Sequence, residues 1–339
     1  MKEGWARQQS ARFLQKATIA PRIRMIERLF EFSGQYPWQW TPAEGEAFIA
    51  HLRSGTRPIQ MSTARTYEVV IELFVEYLRD SRYGWGETCL EHFGEVPQVV
   101  FHEGNSVVHT TEYEADPRRR PLTYDEVQAL FDAAERRPAA IRSRGRKGAL
   151  AAMRDAAALK VVYAYGTRRR EASRLDLTDL RRNRRAAQFG QFGTMMVRFG
   201  KASKGEPPRR RTVLLVPEMD WVTDVLDEWL TEVRPHFSPG RHPALWVTER
   251  AGRLSPRSLN EAFVAAREGA GLDEDLDLHC LRHSYITHLT EFGYPARFVQ
   301  EQVGHSHAST TAIYMGVSNE FRNQLLEASL KKRLGEDWG

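Results

Sequence analysis

Apolar positions recur with a helical period through most of the chain. Tyr67, Val70, Ile71, Phe74 and Leu78 fall on one helical face, while Glu68, Glu72, Glu76 and Arg79 fall mostly on others, a pattern that predicts an amphipathic helix packed on its neighbours. Upstream, Thr41-Pro42-Ala43-Glu44 offers an N-cap, a proline at the first helical position and a capping-box glutamate, so a helix starts there. A second capping box, Thr123-Tyr124-Asp125-Glu126, opens a helix through about Glu135. Residues 149–165 are apolar and rich in alanine, which predicts a buried helix broken by Gly166. Ser255-Pro256 begins another; residues 280–292 form the next, stopped by Gly293 and Pro295; residues 296–303 form the last of this run.

Strand-like stretches at 194–199, 211–216 and 245–248 interrupt the helices, with 200–208 turning between the first two as a basic hairpin. Between Glu95 and Arg120 the periodicity fails and Pro97 and Pro117 appear, with Pro121 just beyond; this marks a linker. A chain of 339 residues exceeds the size at which one core usually stops growing. The expectation is therefore a helical domain over 1–110, a linker at 111–120 and a second domain over 121–339. The fold class is mainly α with a small antiparallel sheet, without internal repeats or low-complexity tracts.

Composition sharpens this picture in two ways. A 41% hydrophobic and 27% charged content describes a folded chain with a charged surface. The net charge is only +5, yet arginines cluster at Arg118 to Arg120, Arg168 to Arg170, Arg181 to Arg185 and Arg209 to Arg211. Such clusters suit a polyanion, because each neutralised phosphate releases counterions, although a solvated face is the ordinary fate of any one run. Cys89 and Cys280 are too few for a disulfide framework and fit a reducing compartment. The first residues lack a signal peptide's apolar core, and no stretch has the roughly 18 apolar residues a membrane span requires. A cytoplasmic, nucleoid-associated protein is expected.

The densest chemistry lies in HCLRHSYITHL, residues 279–289, and VGHSHASTTAIY, residues 303–314. His279-x-x-Arg282, then Gly304-His305, then Tyr314 nine residues after that histidine resembles the signature of the tyrosine recombinase (phage integrase) family, with its Xer and Cre branches. Upstream, YAYGTRRREASRL resembles the family's first arginine box and assigns it Arg168, with Glu171 as its accompanying acid. VRFGKASKGEPPRRRTVLL resembles the lysine hairpin; Lys201 directly follows the strand and glycine, and Lys204 is the alternative. His279-x-x-Arg282 alone would arise often by chance, whereas the ordered set is specific.

The residue types fit the chemistry that the resemblance implies. A phosphodiester is anionic and repels nucleophiles, and a tyrosine with a pKa of about 10 is mostly protonated at neutral pH. Forked donors from Arg168 and Arg282 can stabilise charge developing on nonbridging oxygens, with His305 as a further donor. By resemblance His279 assists proton movement at Tyr314, Lys201 protonates the leaving 5′ hydroxyl, and Tyr314 forms a 3′-phosphotyrosyl link. No metal or other cofactor is implied. Blander readings stand beside these. His279 and His283, four apart on a helix, could join His305 and His307 as metal ligands, but no HExxH motif or cysteine set supports that. Tyr314 alone would be an ordinary half-buried tyrosine. His283 and His288 read as structural.

The resemblance further implies an N-terminal core-binding domain and a C-terminal catalytic domain forming a C-shaped clamp on double-stranded DNA. It implies a dimer on each site, a tetramer on two sites, and room for accessory DNA-bending or partner recombinase proteins. Phe321, Leu325, Leu326 and Ala328 line a terminal amphipathic helix that packs on its own domain or docks on a neighbouring protomer. The expected role is integration, excision or transposition of a mobile element. Alternatives are a dimer-resolving Xer-like recombinase, a type IB topoisomerase-like enzyme, and a catalytically silent DNA-binding regulator.

Overall fold

The computed structural model describes residues 1–56, 58–107, 120–200 and 210–304. Lys201, Lys204, His305, Tyr314, all of the expected 200–208 turn beyond Gly200 and the expected terminal helix with Phe321 and Leu325 lie outside the described residues. The chain divides into two compact units, Met1–Glu112 and Tyr113–Gly339.

The first unit contains α1 (Lys2–Ala11), α2 (Lys16–Ser33), α3 (Pro42–Ser54), α4 (Met61–Arg79) and α5 (Trp85–Phe93). The capping box opening α3 forms as expected: the Thr41 N–H donates to the Glu44 carboxylate at 2.9 Å. Val70, Ile71, Phe74 and Leu78 of α4 join Leu29, Trp40 and Phe48 in one core. Glu68 and Glu72, off the apolar stripe as expected, are nonetheless covered. Glu68 is buried and accepts from the Val107 N–H at 3.0 Å, and Glu72 accepts from the Ser106 hydroxyl at 3.4 Å. The segment after Glu95 is therefore not linker throughout: Val100 and Phe101 belong to the core. An irregular strip laid on a helix must find acceptors for its backbone donors, and Glu68 provides one.

The second unit contains α6 (Tyr124–Ser143), α7 (Ala149–Ala164), α8 (Arg169–Ser173), α9 (Val222–Glu228), α10 (Pro256–Gly269), α11 (Leu278–Glu291) and α12 (Ala296–Val303). Strands β1 (Leu180–Arg181), β2 (Thr194–Val197) and β3 (Arg211–Leu214) form an antiparallel sheet in the order β1-β2-β3. The mainly helical fold with a small antiparallel sheet is thus the one expected. Helix α7 carries alanine, valine and tyrosine on most of its faces and is buried, with α6, α9, α10 and α11 packed against it.

Four details differ from the sequence reading. Helix α6 does not stop near Glu135 but runs on to Ser143 with the buried Pro138 inside it, because its packing on α7 outweighs the one backbone bond the proline removes. Residues 245–248 do not make a strand, although Leu245, Trp246 and Val247 are buried. Two isolated bridges occur here, Asp176 with Ala244 just before the stretch and Val247 with Arg253 within it, and the Leu245 N–H and carbonyl are taken by the Leu175 carbonyl and the Trp229 indole. The two-residue β1 was not anticipated. Beyond β2, Arg198 turns away to pair with Asp179 at 2.6 Å and Asp176 at 2.5 Å, which ends that strand before Phe199.

Candidate active site

Just beyond α7 the chain turns at Gly166, whose φ of +56° lies in the left-handed region. A Cβ there would come within 2.2 Å of the Tyr285 ring, so both the turn and the close approach of α11 require glycine. The turn delivers Arg168 to the N-cap of α8. The Glu171 carboxylate, at the third helical position, accepts from the Arg168 N–H at 2.8 Å and from Arg168 Nη1 at 2.9 Å. The expected arginine and its accompanying glutamate are thus joined by a capping box.

Helix α11 is capped by Asp277, which accepts from the N–H groups of His279 and Cys280 at 2.8 and 3.2 Å. His279 sits in the first turn, its ring edge-on to His283 at 4.8 Å. One turn later comes Arg282, 1% exposed. Its Nη1 donates to the Gly166 carbonyl at 2.6 Å and its Nη2 to the Val303 carbonyl at 2.5 Å. Arg168 Nη1 also reaches the Val303 carbonyl, at 3.4 Å. The two arginines that the sequence places far apart therefore meet at the C-terminal end of α12, where the helix dipole favours cations. His283 and His288 are buried, and His288 Nδ1 shares a hydrogen bond of 2.6 Å with the Tyr163 hydroxyl.

Two further residues complete the cluster, and sequence reasoning did not single them out. Arg211, at the start of β3, grips Glu171 through Nη1 to Oε1 at 2.9 Å and Nη2 to Oε2 at 2.8 Å, while its Nε donates to the Gln302 carbonyl at 2.9 Å. The Gln302 side chain ties α12 to the sheet by accepting from the Leu214 N–H at 2.9 Å and donating to the Leu214 carbonyl at 2.7 Å. Its amide also donates to the Tyr285 hydroxyl at 3.0 Å. The available signals were weak: an arginine ending a basic run and opening a strand, and a glutamine in an otherwise amphipathic helix.

Burial of Glu171 works against its charged form, but the hydrogen bonds and charge of Arg211, then the charges of Arg168 and Arg282, outweigh it and bring the carboxyl down to about 2. One carboxylate thus faces three guanidiniums, so the cluster keeps an excess of positive charge suited to an anion. Of the expected site residues, Arg168 and Arg282 are brought together and His279 lies a turn from Arg282. Lys201, His305 and Tyr314 lie outside the described residues.

The fold is the one shared by solved DNA-recombining enzymes. A structure of the XerH site-specific recombinase bound to a palindromic difH substrate, in a post-cleavage complex, aligns with a TM-score of 0.64 at 18% identity over 96% of this chain and 82% of that one. A lambda integrase dimer bound to a COC′ core site aligns with a TM-score of 0.61 at 15% identity over 94% of both chains. Residues 120–320, more than half of the chain, match the phage integrase family, and the chain belongs to that family. By sequence it is 34% identical over 166 residues to tyrosine recombinase XerD of Corynebacterium glutamicum, covering 49% of each chain. It is 36% identical over 177 residues to tyrosine recombinase XerC of Haemophilus ducreyi, covering 52% of each. The matched region thus spans about half the length of these curated relatives.

Proposed function

We propose that this protein is a site-specific DNA recombinase that breaks and rejoins duplex DNA through a 3′-phosphotyrosyl intermediate. The observation that carries the reading is the convergence of Arg168 and Arg282 on the Val303 carbonyl, directly before Gly304-His305 in the chain. Tyr314 Oη attacks the scissile phosphorus as its proton passes toward His279. The bond to the 5′ oxygen breaks, and that oxygen takes a proton from Lys201. Arg168, Arg282 and His305 stabilise the charge on the nonbridging oxygens. A second 5′ hydroxyl then reverses the step, so bond energy is conserved.

In this reading residues 1–110 are the core-binding domain and residues 121–339 the catalytic domain, acting as a dimer on each site and a tetramer on two, in the cytoplasm. The similar solved structures support the assembly, since they include recombinases in DNA complexes and a lambda integrase tetramer bound to a Holliday junction. The test is incubation of wild type and Tyr314→Phe with nicked suicide duplexes from the flanks of the gene, followed by denaturing electrophoresis. The expected result is a covalent adduct that Tyr314→Phe abolishes. Tight binding without an adduct on any duplex points to a silent DNA-binding regulator. Supercoil relaxation without strand exchange points to a topoisomerase, and an adduct only on sites remote from the gene points to dimer resolution.

A further inference from the structure

Arg211 sits behind Arg168 rather than beside it. The Arg211 side chain is 10% exposed and that of Glu171 1%, whereas the Arg168 side chain keeps 25% of its surface open. Both side-chain bonds of Arg168 among the described residues run through Nη1, which leaves Nε and Nη2 to meet a ligand. Arg211 instead spends its Nε, Nη1 and Nη2 on Glu171 and the Gln302 carbonyl. It also lies against Gly304, where a Cβ would meet Arg211 Cδ at 2.7 Å.

We propose that Arg211 is a positioning residue of the phosphate site, holding the Glu171 carboxylate and the Gln302 carbonyl so that Arg168 presents its open donors at a fixed distance from Arg282. The inference rests on the recombinase reading above. Because Arg211 occupies both oxygens of Glu171, Arg168 shares only one of them through its side chain. Without Arg211 the carboxylate is able to turn and close on Arg168 as a two-bond pair, taking up the donors meant for phosphate. The same guanidinium joins β3, α8 and the last turn of α12, so it sets the spacing between the first arginine box and the Gly304-His305 segment. Arg211→Met removes one partner of a buried ion pair and so lowers stability in its own right. The positioning role is separated from that structural one by the rate of adduct formation, measured where the variant is fully folded and binds the duplex as wild type does.

The experiment compares wild type, Arg211→Met and Arg211→Lys in the full chain on a suicide duplex. It measures the single-turnover rate of adduct formation, the duplex dissociation constant and the thermal midpoint. Arg211→Met is expected to slow adduct formation about ten- to hundred-fold, the scale set by small misplacements of reacting groups, with duplex affinity within about three-fold of wild type. Arg211→Lys is expected to fall between, because one ammonium cannot engage both carboxylate oxygens and the Gln302 carbonyl together. A wild-type rate in Arg211→Met, or a rate loss that merely follows lost affinity, overturns the proposal. Should Arg211→Met not fold, Arg211→Lys decides: a slowed rate with a wild-type midpoint supports it, and a wild-type rate overturns it. A wild type that forms no adduct sinks the recombinase reading itself, and this inference with it.

Discussion

Glu171 takes Arg211 through both carboxylate oxygens, at 2.9 and 2.8 Å, and thereby joins a strand to a five-residue helix in the middle of a cationic site. A lone carboxylate among three guanidiniums works as a spacer: it lowers their mutual repulsion without neutralising the cluster.

The first prediction concerns that carboxylate and acid. The folded Glu171 carboxyl lies near 2, below the ordinary value of about 4.3 for an unfolded chain. Its contribution is therefore fully present above about pH 4.5 and is lost as pH falls toward 2, a difference on the order of 3 kcal/mol. Urea unfolding at pH 7 should show Glu171→Gln less stable than wild type by about that amount, and the gap should narrow steadily between pH 4.5 and 2. A gap that stays constant with pH contradicts this account.

His288 supplies the opposite kind of group, buried without a charge partner strong enough to keep it protonated. Burial lowers it to about 4 against the opposing effects of Glu291 and the Leu122 backbone, and its Nδ1 is hydrogen-bonded to the Tyr163 hydroxyl. The histidine is neutral in the fold, so it stabilises the protein above about pH 6.5 and the benefit disappears as pH drops toward 4, on the order of 3 kcal/mol in all. Wild type should lose denaturant resistance across this window, while His288→Gln should vary less with pH there. Parallel curves for the two proteins would remove His288 from the explanation.

Two glycines should rank in a definite order. In Gly166→Ala a Cβ has to enter within 2.2 Å of the packed Tyr285 ring, whereas in Gly304→Ala it meets the Arg211 stem at 2.7 Å, and both sit at positive φ. Left-handed strain costs about 1–2 kcal/mol and overpacking about 1–3 more. Gly166→Ala should therefore be the more destabilised in a urea titration, with Gly304→Ala about 1–2 kcal/mol below wild type. The reverse order would mean that Tyr285 yields more easily than Arg211.

Local signals in the sequence carried much of this fold. The capping boxes at Thr41 and Thr123 and the proline at the start of α10 mark helix starts through bonds made within a few residues, so they are readable without tertiary knowledge. Arg168, His279 and Arg282 could be singled out as candidates because the boxes that hold them are recognised by motif spacing. Arg211 was not, because its partner Glu171 lies forty residues away and only the register pairing Val197 with Arg211 brings that side chain over α8. The burial of Glu68 was illegible for a related reason: helical periodicity shows which face is apolar, but not that an irregular strip, here the one carrying Val107, will lie across a polar one.

Strand β3 is an edge of its sheet, and an open edge presents backbone groups on which another chain can build. Here the amide of Gln302 answers both the N–H and the carbonyl of Leu214, as a neighbouring strand would. The sheet thus ends in a single side chain that offers no further ladder. Two copies brought side by side would find nothing at this point on which to fuse edge to edge.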